Sequence, residues 1–249
     1  MMIENILQDA IRHSRYVFRG KTTNKTYRDT TRLSENKRAM YDPQNITSRE
    51  DKHDEFLDKL HKIEHPINQY QYSLSQSDAG EELIGNCGEL TTAVFSYLAK
   101  HRSSDILECL RSHGRWDRSN AMKPIYILFL VFDNPYDHCI TVITHPEHTQ
   151  HIPKIGQSYR ALPDNSWVCD SWAKIACSSE EYITRWKVKM LRWELVGKTT
   201  SIYQPEQELD DDMHYPSSLR PRNYHAMTHS IKRVEHMAVI HPNGSTNII

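Results

Sequence analysis

The sequence predicts an α+β fold, and three stretches carry that prediction. The run from Cys87 to Lys100 has apolar residues at helical spacing and follows a polar turn that contains glycine. Residues 124–133 are almost continuously apolar and rich in β-branched and aromatic side chains, which is typical of a central strand. Residues 138–144 form a second such run. We therefore expect a helix packed on a small antiparallel sheet, in a core that covers residues 81–197.

The segment before this core, residues 1–80, is predicted to be a helical and polar extension. Residues 1–16 carry apolar side chains at helical spacing, and the polar, basic stretch 17–49 is predicted to be a loop. A second helix is expected from Ser48 to Glu64, because Ser48 and Asp51 resemble a capping pair. His65-Pro66 should end that helix, and residues 67–84 are polar and indicate turns.

The remaining core elements follow from shorter patterns. Residues 104–111 predict a helix that stops before Gly114. The turn at 134–137 is short enough to join the two central strands as an antiparallel hairpin. Residues 145–165 are predicted to be a loop with a short edge strand at 159–162. A further short strand is expected at 166–172.

The last core element is a helix from Ser178 to about Leu195. After Gly197 the sequence becomes polar again, with an acidic patch at 206–212. Residues 198–249 are therefore predicted to be a polar extension with a short helix near 225–235.

Composition excludes several classes of partner. The formal net charge is -1, so no overall positive field recruits nucleic acid. No apolar run approaches the roughly 20 residues that a membrane-spanning helix needs. The N-terminus lacks the pattern of a cleaved secretory signal. The five cysteines show no paired spacing, which favours reduced thiols and a cytoplasmic working environment.

Three residues that are distant in the sequence suggest a catalytic site: Cys87 at a helix start, His138 at a strand start and Asp170 at a strand end. A helix N-terminus favours the thiolate, which is the reactive form of cysteine. An imidazole can keep the thiol deprotonated and later protonate a leaving group, and a carboxylate can orient the imidazole. Asp137 is the competing carboxylate, but its side chain should face the opposite side of the strand.

These blocks resemble a known group of enzymes. Gly85-Asn86-Cys87-Gly88-Glu89, then Asp137-His138 before an apolar strand, then Trp167-Val168-Cys169-Asp170 look like the Cys-His-Asp motifs of papain-like and transglutaminase-like enzymes. They look most like the divergent members that bacteria living in host cells inject as effectors. The resemblance covers roughly residues 84–173. It implies that Cys87 is the nucleophile, His138 the base and Asp170 the orienting residue.

The resemblance also implies the reaction class. We expect a thiol-dependent acyl transfer, as in a protein glutamine deamidase, a transglutaminase or a cysteine protease. The substrate would be a protein, which for an effector is a host protein, and the chain would reach the host cell without a cleaved signal. No cofactor is needed. The alternative is a non-catalytic interaction module in which Cys87 is only a packed side chain.

The oxyanion donors are less well defined by the sequence. The backbone N–H of Cys87 is the first candidate, and the side-chain amide of Asn86 or Gln76 is the second. Papain-like proteases usually carry Gln six residues before the nucleophile, whereas this chain has Glu81. That difference favours an enzyme acting on side-chain amides over an ordinary peptidase. Trp172 is expected to shield the hydrogen bond between His138 and Asp170 from water.

One further motif suggests different chemistry. His145, His148 and His151 form an HxxHxxH run that could hold zinc and leave a position for water. However, the run contains Pro146 and lacks the helical His-Glu-x-x-His arrangement. A solvated loop rich in histidine is the favoured interpretation, and no metal site is predicted.

Overall fold

A computed structural model describes residues 2–112, 123–133, 137–144, 152–200 and 221–249. The helices are α1 (Ile3–Val17), α2 (Glu35–Ala39), α3 (Pro43–Leu60), α4 (Pro66–Asp78), α5 (Cys87–His101), α6 (Ser103–Ser112), α7 (Ser179–Leu195) and α8 (Pro221–His229). The strands are β1 (Lys25–Tyr27), β2 (Ile125–Phe132), β3 (His138–Ile143), β4 (Ser158–Tyr159), β5 (Trp167–Asp170), β6 (Ile175–Ser178), β7 (Lys198–Thr200), β8 (Lys232–Ile240) and β9 (Thr246–Ile248). None of these helices has the length and apolar character needed to cross a membrane.

The main sheet is antiparallel, and its strands run in the order β4-β8-β2-β3-β5-β6, with β9 also paired to β8. The predicted hairpin is confirmed, because β2 pairs with β3 from Ile127 opposite Ile143 to Phe132 opposite His138. Strand β2 is apolar along its length because the sheet is covered on both faces. The predicted α+β class is therefore confirmed at the level of mixed helices and antiparallel sheet.

Helix α5 lies between the two hydrophobic clusters that cover the sheet. Leu90 and Ala93 pack in one cluster, whereas Phe95 and Leu98 pack in the other. The helix contacts α1, α4, β2 and β3. Apolar contacts on nearly every side hold its axis, and they fix the position of its first residue, Cys87.

The prediction of turns over 67–84 is wrong for most of that stretch, which forms α4. Pro66 stands in the first turn, where a missing N–H costs nothing, and the side chain of His65 accepts from the N–H of Ile67. Buried Ser73 donates to the carbonyl of Gln69, and buried Ser77 donates to the carbonyl of Tyr16. The helix is polar in sequence because its contacts with α1 and α5 use small hydroxyl residues.

Two further predictions at the N-terminal side are corrected. Helix α3 begins at Pro43, because Asp42 caps it by accepting from the N–H of Gln44. Ser48 therefore lies inside the helix and does not cap it. The stretch 17–49 also contains α2 and the short strand β1, which pairs with β7.

The C-terminal segment differs from the predicted polar extension, because it supplies a central strand. The expected helix near 225–235 is observed as α8, which ends at His229. Strand β8 then pairs with β2 from Lys232 opposite Phe132 to Ile240 opposite Ile125, with one shift in register between Phe129 and Leu130. Alternating burial from Lys232 to Glu235 followed by the apolar run to Ile240 explains this placement. The acidic patch at 206–212 lies outside the described residues.

Candidate active site

Cys87 is the first residue of α5 and is partly exposed, whereas the other four cysteines are buried. The carboxylate of Glu89 accepts from the N–H of Asn86 at 2.7 Å, which caps the helix, and it also lies 3.3 Å from His53. The Cys87 Sγ lies 4.0 Å from the carbonyl oxygen of Asp137. The thiol therefore sits at the positive end of a well-capped helix dipole.

His138 and Asp170 form a buried pair, with 2.9 Å between Nε2 and Oδ2. The side chain of His138 is 3% exposed and that of Asp170 is 0% exposed. Strands β3 and β5 are neighbours, with Thr141 opposite Cys169. Continuing this register places Asp170 opposite Ile140, two residues from His138, so the two side chains are diagonal neighbours on one face. Asp137, the competing carboxylate, is exposed.

Asp170 is held by more than the histidine. Its Oδ2 also accepts from the hydroxyl of Tyr182 at 2.8 Å, and its Oδ1 accepts from the N–H of Ala173 at 2.8 Å. Burial raises the pKa of Asp170, but the charge of His138 and these hydrogen bonds outweigh it, so the pKa is lowered. The carboxylate therefore stays ionised although it is fully buried.

The pKa values of His138 and Cys87 are also shifted by their neighbours in this site. Burial lowers the pKa of His138, but the charge and hydrogen bond of Asp170, followed by those of Cys87, raise it to about 10. A hydrogen bond with Cys139 lowers the pKa of Cys87, whereas burial raises that pKa. The hydrogen bond and the charge of His138 lower the pKa further, to about 6. Because His138 Nε2 is engaged with Asp170, Nδ1 is the ring nitrogen left for the hydrogen bond with Cys87. Between these two pKa values the site holds a thiolate beside an imidazolium.

Trp172 packs against the ring of His138. The two ring centroids are 5.3 Å apart in an edge-to-face arrangement, and Trp172 is 7% exposed. Its indole N–H donates to Asn24 Oδ1 at 2.9 Å. The ring therefore lies against the imidazole, which is the position that the predicted shielding role requires.

The two amides predicted as second oxyanion donors have other surroundings. The Asn86 side chain donates to Thr23 Oγ1 at 2.8 Å and accepts from the N–H of Thr23 at 3.2 Å, so it is engaged away from the thiol. Gln76 lies in the last turn of α4, and none of the hydrogen bonds of the described residues joins its side chain to Cys87. Neither arrangement favours these residues as donors.

Two residues near this site carry no clear functional signal in the sequence. Tyr182 faces Asp170 from the first turn of α7, and its only sequence signal was an apolar position in a helix. Asn24 lies in a stretch predicted to be a featureless loop, and nothing in the sequence pointed to it.

The HxxHxxH run at 145–151 lies outside the described residues. Within the described residues, no group of three or more His, Cys, Asp or Glu side chains is arranged to hold a metal ion.

Substituting Tyr182 with Phe is expected to lower the free energy of unfolding by about 1–3 kcal/mol, because it removes one of the donors to a buried carboxylate. Urea unfolding measures this change. Tyr16→Phe is the matched control, since the Tyr16 hydroxyl donates to Asp78 at the surface. Its effect should stay below about 0.5 kcal/mol. Equal effects of the two substitutions would contradict the structural importance of the buried bond.

Comparisons of the chain with models of protein families, with curated proteins and with solved structures give no match. The geometry of the site and the motifs of the sequence are therefore the basis for proposing a function.

Proposed function

We propose that this protein is a thiol-dependent acyl-transfer enzyme with Cys87 as nucleophile, His138 as acid and base, and Asp170 as orienting residue. The observation that carries the proposal is the buried pair of His138 and Asp170 at 2.9 Å, beside a thiol at a helix N-terminus whose pKa is lowered to about 6. A structural cysteine needs neither feature. A papain-like or transglutaminase-like core, which the sequence resembles, is part of the same proposal.

In this mechanism the Cys87 thiolate attacks the carbonyl carbon of a carboxamide and forms a tetrahedral intermediate. The imidazolium of His138 gives its Nδ1 proton to the leaving nitrogen, which departs as ammonia or an amine and leaves a thioester on Cys87. Water or an acceptor amine then attacks the thioester, and His138 takes up the proton that this nucleophile loses. Release of the acid or new amide restores the thiolate and the imidazolium. Asp170 keeps the ring oriented and stays ionised throughout.

A protein substrate fits this proposal, and the resemblance to injected effectors implies a host protein. Hydrolysis of a peptide bond, deamidation of glutamine and transfer to an amine share the thioester and differ only in the leaving and accepting groups. Product assays therefore separate them: cleavage of casein, release of ammonia from casein, and incorporation of a fluorescent amine into casein.

Cys87→Ala is expected to abolish whichever of these reactions the wild-type protein performs, a loss of about 10³-fold or more. Cys109→Ala is the matched control, because Cys109 is a buried thiol in α6, and it should retain activity. Unchanged activity in Cys87→Ala would overturn the proposal. A wild-type Cys87 that resists iodoacetamide at pH 7 would leave a non-catalytic interaction module as the better reading.

The second oxyanion donor is assigned in this proposal to Asn24. Its Oδ1 accepts from Trp172, which orients the amide, and its Nδ2 has no partner among the described residues. The preceding residue, Thr23, is bonded to Asn86, directly before Cys87. Asn24 thus lies on a segment that runs from the start of α5 to the tryptophan beside the histidine.

Asn24→Ala should lower kcat by about 10²-fold, because one donor to the developing oxyanion is lost. KM and the pH midpoint of Cys87 alkylation should change little, since the thiolate itself is not touched. Gln76→Ala is the comparison. A loss of kcat in Gln76→Ala and none in Asn24→Ala would contradict the assignment.

A further inference from the structure

A cavity of about 420 Å³ lies next to the candidate active site and is lined mostly by cations. Fifteen described residues line it; eight of these are Lys or Arg, and none is Asp or Glu. They come from separate elements, including α1, β1, α7 and β7, and so converge only in the folded protein. Among them are Arg15, Lys21, Lys25, Lys174, Lys189 and Lys198.

These cations repel one another. Burial, then the charges of Lys21 and Arg15, lower the pKa of Lys198 to about 8. Burial and then the charge of Arg15 also lower the pKa of Lys174. Within the part of the chain that the structure describes, none of the eight cations forms an ion pair with a carboxylate. Such an arrangement opposes folding unless an anion neutralises it.

Two tryptophan rings hold lysine side chains of the cavity in place. Lys25 is 6% exposed, donates through Nζ to the carbonyl of Trp172 at 2.7 Å and lies 3.9 Å from the centroid of that ring. Lys25 and Lys198 both lie 4.9 Å from the ring centroid of Trp193. These cation–π contacts hold the side-chain nitrogens in place. Burial, then the charges of Arg15 and Lys198, lower the pKa of Lys25 well below its usual value, so an anion in the cavity would favour the charged form of this lysine. Arg15 donates to the carbonyls of Ser171 and Trp172, while its buried Nε has no hydrogen-bond partner in the described part of the chain.

We propose that this cavity binds a compact anion that carries several phosphate groups. Eight cations in so small a volume call for a ligand of high charge density, and a single carboxylate would neutralise only one of them. Lysine ammonium groups bind phosphate oxygens as point charges, and arginine adds directed donors. The volume lies in the range of small-molecule sites.

The cavity shares Trp172 with the candidate active site, because the same ring packs against His138. A bound polyanion would therefore order the tryptophan that covers the imidazole. Binding itself does not depend on the proposed reaction, and it is measured without turnover.

Isothermal titration of the full chain with sodium tripolyphosphate tests the proposal. We expect one site per chain, at least about tenfold tighter binding than for orthophosphate, and weakening as salt is raised. Lys189→Gln combined with Lys198→Gln should weaken binding by roughly tenfold or more. Lys187→Gln is the matched control, because Lys187 is an exposed residue of α7 that does not line the cavity, and it should bind normally. Cys87→Ala should also bind normally, which separates this proposal from the proposed reaction.

The double variant should be at least as resistant to urea as the wild type when no anion is present, because the two substitutions relieve repulsion between the cations.

A nucleoside triphosphate is titrated into the wild-type protein for comparison with tripolyphosphate. If the nucleoside triphosphate binds more tightly than tripolyphosphate, the nucleoside contributes to recognition. If the two ligands bind equally well, the phosphate chain is sufficient for binding. Both outcomes support the proposal. Absence of saturable binding, equal affinity in the double variant, or equally tight binding of citrate would overturn it.

Discussion

His138→Ala is expected to raise the midpoint of the pH profile for alkylation of Cys87 by about 1–3 units, because the thiolate loses its neighbouring cation. In the wild type the thiolate forms as pH rises through about 6, and the imidazolium is lost only near pH 10. The ion pair therefore exists between these values. Iodoacetamide labelling followed by mass spectrometry of the Cys87 peptide measures the midpoint. The midpoint is the right measure because a thiolate of higher pKa is also more nucleophilic, which partly masks the change in rate at a single pH.

The proposed acyl-transfer activity should fall by about 10³-fold in the same variant, since the leaving nitrogen is no longer protonated. Cys139→Ala is the comparison that shows whether the neighbouring thiol or the imidazolium stabilises the Cys87 thiolate. A neutral S–H is a weak donor, whereas an imidazolium gives a charge-assisted hydrogen bond. We therefore expect the smaller shift in Cys139→Ala. A large shift there and none in His138→Ala would show that the thiol pair, and not the histidine, activates Cys87.

Asp170→Ala is expected to lower the free energy of unfolding by about 3–5 kcal/mol, because it leaves a buried cation without its partner. Three donors lose their acceptor at once: His138 Nε2, the Tyr182 hydroxyl and the N–H of Ala173. Urea unfolding near pH 7 measures the loss. Asp105→Ala is the matched control, because Asp105 pairs with Arg102 and its side chain is 42% exposed. Its effect should be at most about 1 kcal/mol.

Asp170→Asn separates the charge of this residue from its packing. The variant keeps the size of the side chain and an acceptor for Ala173, so its loss of stability should be smaller than that of Asp170→Ala. It removes the charge that raises the pKa of His138, so the histidine becomes neutral at lower pH and the midpoint of Cys87 alkylation rises. An Asp170→Ala variant as stable as the wild type would show that the buried network contributes little.

Much of the core could be predicted because its elements carry strong local patterns. Strands β2 and β3 are long apolar runs, and α5 and α7 show helical spacing, so packing agreed with local preference. The errors fall where this agreement fails. Helix α4 is polar because its buried face uses serines, and β8 was missed because a helix was expected across its first residues.

By itself, the sequence determined the α+β class, the start of α5 at Cys87 and the choice of Cys87, His138 and Asp170 as a set. Those features depend on local spacing and on the chemistry that each residue type can perform. Only the tertiary structure decided that His138 and Asp170 are diagonal neighbours on β3 and β5, that Tyr182 bonds Asp170 and Asn24 bonds Trp172, and that cations from four or more elements share one cavity. The physical reason is that sheet register and the approach of distant segments depend on packing across the whole core, which no local pattern encodes.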